Sequence, residues 1–351
     1  MTDFTIVITS FNRPKCLLRN LKFLLSYNLS FKIIIADSSS SNDINENDEL
    51  KILIDKNNIL FKNFPHEIEV TQKISDTLKY VSTKYCVLCA DDDFIIPTSI
   101  IECINFLKNN PDYVSCHGKY YIHTKFEYVK KYGLALSNLS GSLKSCEQED
   151  IIERIDFFMA SKLDSQYTWY AVFETINLKT IWEQTSIYAN GWLLNESFST
   201  IVGLIMGKMK TLPIFYMSRE PNYAPMSHTT DQKKIEILLS REKNMRCSEG
   251  IVKNLIKYYP NLDSNESITQ YFNYYEEKRN IRLIKNKKSV QDINKRSILS
   301  YLLRRPYYLY LRIIFKINNK SGLDSVKKLK NLIIESGDMN KEVKDSRATY
   351  E

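Results

Sequence analysis

A chain of 351 residues, 43% of them hydrophobic and 26% charged, can bury a sizeable core and has room for two domains. Nine glycines and nine prolines exclude collagen-like and low-complexity architectures, no run of about 18 apolar residues predicts a membrane span, and the start MTDFTIVITSFNRP lacks the pattern of a signal peptide. The net charge of +8 is uneven: residues 231–351 hold 26 basic and 15 acidic side chains, whereas residues 1–230 carry a net of −3, so chemistry is expected in the first part and attraction to an anionic surface in the second.

Phe4–Thr9 (FTIVIT) predicts a strand that runs into Ser10-Phe11-Asn12-Arg13-Pro14. Pro14 suits a first helical turn and Asn12 can cap it; Leu17, Leu18, Leu21, Leu24 and Leu25 then form one apolar helical face. Lys32–Ala36 (KIIIA) predicts the second strand, ending at Asp37 and a polar loop, SSSSNDINENDE. Strand, helix and strand in about 30 residues make a βαβ unit, which implies a parallel, buried pair. A third strand is expected at Ile59–Phe61 or Glu67–Val70, then a helix with Ile74, Leu78 and Val81 on one face. Tyr85–Ala90 (YCVLCA) predicts a buried strand, followed by Asp91-Asp92-Asp93 and, after Pro97, a helical pattern at Ile100, Ile101, Ile104 and Leu107. Asp112–Thr124 reads as strand and turn, Glu149–Ser161 as a helix and Gln166–Phe173 (QYTWYAVF) as a strand. Trp182 falls in a helix, Asn195 can cap a helix over Glu196–Met209, and Thr211–Met217 is a last strand. The expected organisation is an α/β domain over residues 1–230, a basic helical region over 231–336 and a disordered tail over 337–351.

The seven cysteines are odd in number and irregularly spaced, which fits reduced thiols in a cytoplasm. Cys86 and Cys89 have the spacing of a redox or zinc pair but lie within a predicted strand, where residues three apart face opposite ways, so both read as core.

Asp91, Asp92 and Asp93 concentrate like charge where a buried strand ends, so each carboxylate disfavours ionisation of the next. A hard divalent cation reverses that balance, because Mg²⁺ or Mn²⁺ takes oxygen ligands and completes its shell with phosphate. The plainer reading is an acidic turn that caps the following helix. Asp37 ends another strand of the same alternating domain, which places it on the same rim as the triplet and favours a ligand site.

In combination, the run Thr9–Arg13 (T-S-F-N-R) after the first strand, a second strand ending in Asp37, and an apolar strand ending in an acidic triplet with Pro97 beyond it resemble family 2 glycosyltransferases of the GT-A fold. The likeness covers roughly residues 4–220 and is greatest to the bacterial branch that builds capsule and lipopolysaccharide. It implies a Rossmann-like nucleotide-sugar-binding domain, a nucleotide-sugar donor, Mn²⁺ or Mg²⁺, and inversion at the anomeric carbon. Carried over, the resemblance sets Thr9, Phe11, Asn12 and Arg13 along the base, Asp37 on the base or ribose, Lys73 at a polar nucleotide contact and Asp91 on the ribose. It gives the metal and its diphosphate to Asp92 and Asp93. Ala90 stands where the family has the first aspartate of its motif, which leaves open which carboxylate binds the ion directly. The family's late carboxylate base corresponds to Glu196, after the loop Asn190-Gly191-Trp192; a residue in a helix's first turn is the plainer account of it.

After the last predicted strand, Arg219 can hold phosphate and His228 can complete a metal shell, although a lone histidine is more often a surface or core residue. Tyr167, Trp169, Tyr170 and Trp192 can stack on an acceptor sugar or equally belong to the core, and His117 and His123 read as structural. The stretch Arg296–Lys320 carries six basic residues among aromatic and aliphatic ones and no acid. It predicts a cytoplasmic enzyme docked peripherally on the inner membrane face, near a glycan or lipid-linked acceptor; a packed helix or a homo-oligomer contact is the competing reading. No nucleic-acid signature accompanies the basic tail. A sugar nucleotidyltransferase is disfavoured by a first loop without glycine, a P-loop is absent, and a non-catalytic scaffold stands as the remaining alternative.

Overall fold

A computed structural model describes residues 3–40, 47–123, 136–138, 144–160, 166–189, 192–219, 241–260 and 320–335. The apolar runs seen in the sequence become β1 (Phe4–Ser10), β2 (Lys32–Asp37), β3 (Leu60–Asn63) and β4 (Tyr85–Ala90), which lie parallel in the order β3-β2-β1-β4. Being covered by helices on both faces, β1, β2 and β4 can be almost continuously apolar. Register fixes the rim: Ser10 lies beside Asp37 and Thr9 beside Ala90, so Asp37 and the acidic triplet leave the sheet on one edge.

Beyond β4 the sheet becomes mixed and curls. The short β5 (Phe94–Ile95) follows the triplet, and β6 (Tyr113–His123) runs parallel to β9 (Lys208–Arg219) with irregular register around Gly118. A Cβ on Gly118 would stand 2.7 Å from the Ile214 carbonyl oxygen, which explains the glycine there. β7 (Leu136–Asn138) pairs with β6, and β8 (Val172–Glu174) joins β6 to β4.

The helices of the parallel half are α1 (Pro14–Leu25), α2 (Asp48–Lys56), α3 (Val70–Leu78) and α4 (Pro97–Asn109). They are followed by α5 (Ile151–Ala160), α6 (Gln166–Trp169), α7 (Thr175–Tyr188) and α8 (Trp192–Met206). α8 is buried among α5, α6, α7 and α9 (Arg241–Tyr258), its apolar residues Leu194, Phe198, Ile201, Val202, Leu204 and Ile205 together with the polar Asn195–Ser197. α10 (Lys320–Glu335) returns to α1: Tyr27 Oη donates to Ser325 Oγ at 2.7 Å, and Lys328 Nζ donates to Ser26 O at 2.8 Å.

Five local expectations are corrected. Asn12 does not cap α1; it sits at φ 51°, Arg13 takes the cap position, and the Asn12 side chain is used elsewhere. Part of the loop expected after Asp37 is helical, since Asn47 Oδ1 accepts from Leu50 N and starts α2, whose short apolar face is Leu50, Leu53 and Ile54. Gln166–Phe173 divides into the α6 turn and the start of β8, and Glu67–Val70 forms no strand. α8 begins at Trp192, which puts Asn195 inside the helix rather than at its cap. None of the seven cysteines forms a disulfide and all are buried, Cys86 and Cys89 among them.

β6 carries two buried histidines. The His117 Nδ1–H donates to Gly118 O at 2.8 Å and its ring stacks on Tyr120; His123 Nδ1 lies 3.0 Å from Ser218 Oγ. Burial lowers the pKa of His117 to about 4, and burial followed by the Arg19 charge lowers that of His123 to about 3. The unfolded chain protonates both near pH 6.5 while the folded chain leaves them neutral, so their stabilising contribution is present at neutral pH and lost as pH falls towards 4. We expect urea midpoints measured from pH 7 to 4 to decline, and His117→Asn to flatten that decline by up to about 1.4 kcal/mol per pH unit. An unchanged slope would show that His117 titrates alike in both states.

Candidate active site

The triplet turn is tied to the first βα unit. Asp91 N donates to Thr9 O at 3.3 Å, and Asn20 Nδ2, from the buried face of α1, donates to Ala90 O at 3.0 Å and Asp93 O at 2.6 Å. The three carboxylates then meet different surroundings: the side chain of Asp91 is 0% exposed, that of Asp93 4% and that of Asp92 23%. Arg13 spans two of them, with Nη2 2.5 Å from Asp91 Oδ1 and Nη1 2.5 Å from Asp92 Oδ2. Arg219, at the end of β9, places Nε 3.2 Å from Asp93 Oδ2. Burial pushes the Asp91 carboxyl up against the pull of Arg13, and the charge on Asp92 adds to the rise. Burial also acts upward on Asp92, but Arg13 and then Arg219 outweigh it and hold that carboxyl below its usual range.

The neighbouring strand end forms a second polar knot. Asp37 accepts from Ser39 Oγ at 2.7 Å and from Ser39 N at 3.0 Å; Ser39 Oγ in turn accepts from Asn12 N at 2.7 Å, and Asn12 Oδ1 accepts from Ser40 N at 3.2 Å. Burial raises the Asp37 pKa despite these bonds. Lys73 Nζ reaches from α3 to Ser10 O at 3.0 Å and Ser38 Oγ at 2.8 Å; burial lowers its pKa to about 8 against the charges of Asp37 and Asp91. Phe11 and His66 place their rings 4.9 Å apart beside this knot.

Thr9, Phe11, Asn12, Arg13, Asp37, Lys73 and the triplet are therefore gathered on one rim, and residues 5–173 match the family described as glycosyl transferase family 2. The chain carries a family 2 glycosyltransferase domain. The match includes Asp37, Lys73 and the triplet and stops before Glu196 and Arg219. No curated protein matches the sequence. Among solved structures, Staphylococcus aureus TarS 1–349 is 13% identical with a TM-score of 0.47, covering 77% of this chain and 69% of that one. A longer S. aureus TarS structure is 11% identical with a TM-score of 0.45, and the alignment covers 80% of this chain and 54% of that one. The mannosyltransferase PcManGT from Pyrobaculum calidifontis, in complex with GDP-Man and Mn²⁺, is 9% identical with a TM-score of 0.40, covering 95% and 85%. At TM-scores below 0.5 none of these likenesses bears on substrate.

The remaining candidate residues lie on or beside α6, α8 and β9. The Arg219 guanidinium lies 5.6 Å from the centre of the buried Tyr170 ring, and Tyr216 Oη donates to Tyr170 O at 2.5 Å. The α6 turn is bonded to α8: Trp169 Nε1 donates to Ser199 Oγ at 3.1 Å, and the Thr168 and Thr200 hydroxyls meet. Ser199 and Thr200 both donate to Glu196 O, at 3.2 and 2.8 Å. Glu196 is buried, at 4% exposure, and lies past the first turn of α8, so helix capping does not account for it. The preceding Asn195 is fully buried with neither amide atom partnered among the described residues. Tyr167 lies on α6 and Trp192 opens α8; His228 and the basic stretch before Lys320 fall outside the described residues.

The donor set suits a small hard cation held by one or two carboxylates, its shell completed by water and phosphate. It does not suit a closed protein cage, since no cluster of three His, Cys, Asp or Glu side chains among the described residues can hold an ion.

Asn20, Arg19, Ser39 and His66 are site neighbours that the sequence pattern did not single out. The available signal was two polar residues beside the apolar face of α1: Arg19 is buried with its guanidinium 5.0 Å from the Phe94 ring centre, and Asn20 holds the triplet. Replacing Asn20 by Leu removes the two hydrogen bonds that tie α1 to the triplet turn. We expect a loss of about 1–3 kcal/mol in urea denaturation, and a change near zero would mean that the turn holds without it.

Proposed function

We propose that this glycosyltransferase moves a sugar from a nucleotide-sugar donor to a hydroxyl of a surface-glycan acceptor, with inversion at the anomeric carbon. One observation supports the reading above others: carboxylates, guanidiniums and Lys73 converge where β1, β2 and β4 end, the edge at which open α/β sheets take nucleotides. Phe11 and Asn12 line the base, Asp37 and Asp91 take the base and ribose, and Lys73 holds the loops that carry them. Asp92 and Asp93 hold Mn²⁺ or Mg²⁺, which offsets the negative charge that develops on the diphosphate. Arg13 and Arg219 donate to phosphate oxygens, where a guanidinium is a strong partner.

Glu196 takes the proton of the acceptor hydroxyl as its oxygen bonds to the anomeric carbon. The bond from that carbon to the diphosphate breaks on the opposite face, and its electron pair leaves with the phosphate. Burial of Glu196 keeps water from competing with the acceptor. Tyr167, Tyr170 and Trp192 belong to the acceptor side.

A thermal-shift panel of UDP, GDP, CMP and dTDP with Mn²⁺ tests the donor class, since a ligand that binds only the folded chain raises the Tm. In calorimetry and turnover assays, Asp92→Asn is expected to lose metal-dependent nucleotide binding. Glu196→Gln is expected to keep that binding while turnover falls about 10²–10⁴-fold. Equal nucleotide affinity of the wild type with and without metal would overturn the ion's role, and near-normal turnover of Glu196→Gln would remove the base.

The acceptor side extends to a membrane in this reading. No helix of the described residues is long and apolar enough to cross one, and the stretch Arg296–Lys320 docks the enzyme on anionic lipid beside a lipid-linked acceptor. Co-sedimentation should favour anionic over neutral liposomes and weaken with salt. Equal, negligible pelleting with both would refute docking.

A further inference from the structure

We propose that Arg13 is an exchangeable counter-ion: it closes the acidic triplet when no donor is bound, releases Asp92 to the arriving metal–diphosphate, and re-pairs with the phosphate. The inference rests on the metal-dependent reading above and concerns what occupies the site beforehand.

The geometry of the fork carries it. A guanidinium that met one carboxylate face-on would give both of its bonds to that group. Arg13 instead gives one nitrogen to Asp91 and one to Asp92, each at 2.5 Å, and so stands between the two carboxylates. Of the two carboxylates assigned to the metal, Asp92 is thus one that the guanidinium already neutralises. The carboxylates differ in how they can be reached. Asp91 has no exposed surface and Asp93 has 4%, with Arg219 against it, whereas Asp92 has 23% and offers the open approach. The first carboxylate an incoming ion can reach is therefore one that Arg13 already holds.

The surroundings let the head group move while its backbone stays. Leu17 N donates to Arg13 O at 3.0 Å, Pro14 opens the helix, and Asn12 is bonded at both N and Oδ1 to the loop after β2. The Arg13 side chain keeps 17% exposure, so part of it reaches solvent while its backbone stays anchored.

Charge sets the order of events. A divalent ion alone would meet a guanidinium at contact distance and gain only a carboxylate that is already neutralised. An ion carrying a diphosphate brings anionic oxygens to which Arg13 can transfer. Metal and diphosphate should therefore each strengthen the binding of the other, by the same factor.

The test uses the full chain, with Mn²⁺ alone and Mn²⁺ with inorganic pyrophosphate as probes that carry no base. Titration calorimetry should give weak Mn²⁺ binding to the wild type, strengthened about tenfold or more by pyrophosphate. Arg13→Gln should bind Mn²⁺ alone about tenfold more tightly than the wild type, and pyrophosphate should add little more. Arg13→Lys keeps a charge but cannot fork, and should fall between them; it also serves as the folded reference if Arg13→Gln melts early in circular dichroism. If the wild type binds Mn²⁺ with pyrophosphate but neither variant gains affinity for Mn²⁺ alone, the exchange is refuted and the site reading survives. If the wild type binds no Mn²⁺ under either condition, the metal reading fails as well.

Discussion

Three carboxylates in succession at the end of a buried strand repel one another, and two of them have almost no access to water. A site of this kind persists only if the fold brings positive charge and hydrogen-bond donors to it from several directions. Arg13 arrives from the β1–α1 loop, Arg219 from the end of β9, and the Asn20 amide from α1. Arg13 and Asn20 reach the triplet because β1 and β4 are neighbours, and Arg219 because β9 pairs with β5 in the mixed half. The Gly118 contact that lets β6 and β9 approach belongs to the arrangement that brings Arg219 there.

The parallel half could be read from the chain because its signals are local. Apolar strands ended in Asp37 and in the triplet, the helix between the first two strands had a clean leucine face, and the observed register put both acidic ends on one rim. The mixed half was less legible. QYTWYAVF has strand composition, yet its first four residues turn helically because Thr168 and Trp169 bond to α8. That preference comes from partners some 30 residues away. α2 was hidden for another reason: it follows a long polar run, and its face of Leu50, Leu53 and Ile54 spans little more than one turn. In the site, the carboxylates were visible as residues, but their pairing with Arg13 was not, because 78 residues separate Arg13 from Asp91 and no local rule connects them.

The two buried histidines and the two arginines show how differently the interior treats ionisable groups. His117 and His123 lie among aromatic rings, where the neutral form costs less than the charged one. Arg13 and Arg219 face carboxylates and remain charged. Lys73 is intermediate: it is buried and shifted towards neutrality, yet it bonds the backbone of β1 and the loop after β2. It thus links two strand ends by geometry as much as by charge.

The pairing of α10 with α1 bears on how the chain is made. Tyr27 and Ser325 are 298 residues apart, and the Lys328 ammonium covers the same Tyr27 ring. At a synthesis rate of about 5–20 residues per second, that face of α1 stays uncovered for roughly 15–60 s. Throughout that interval the nascent α/β domain carries an unsealed seam beside its first helix. A holdase that recognises exposed aromatic surface would have its opportunity there, and the emergence of α10 would end it.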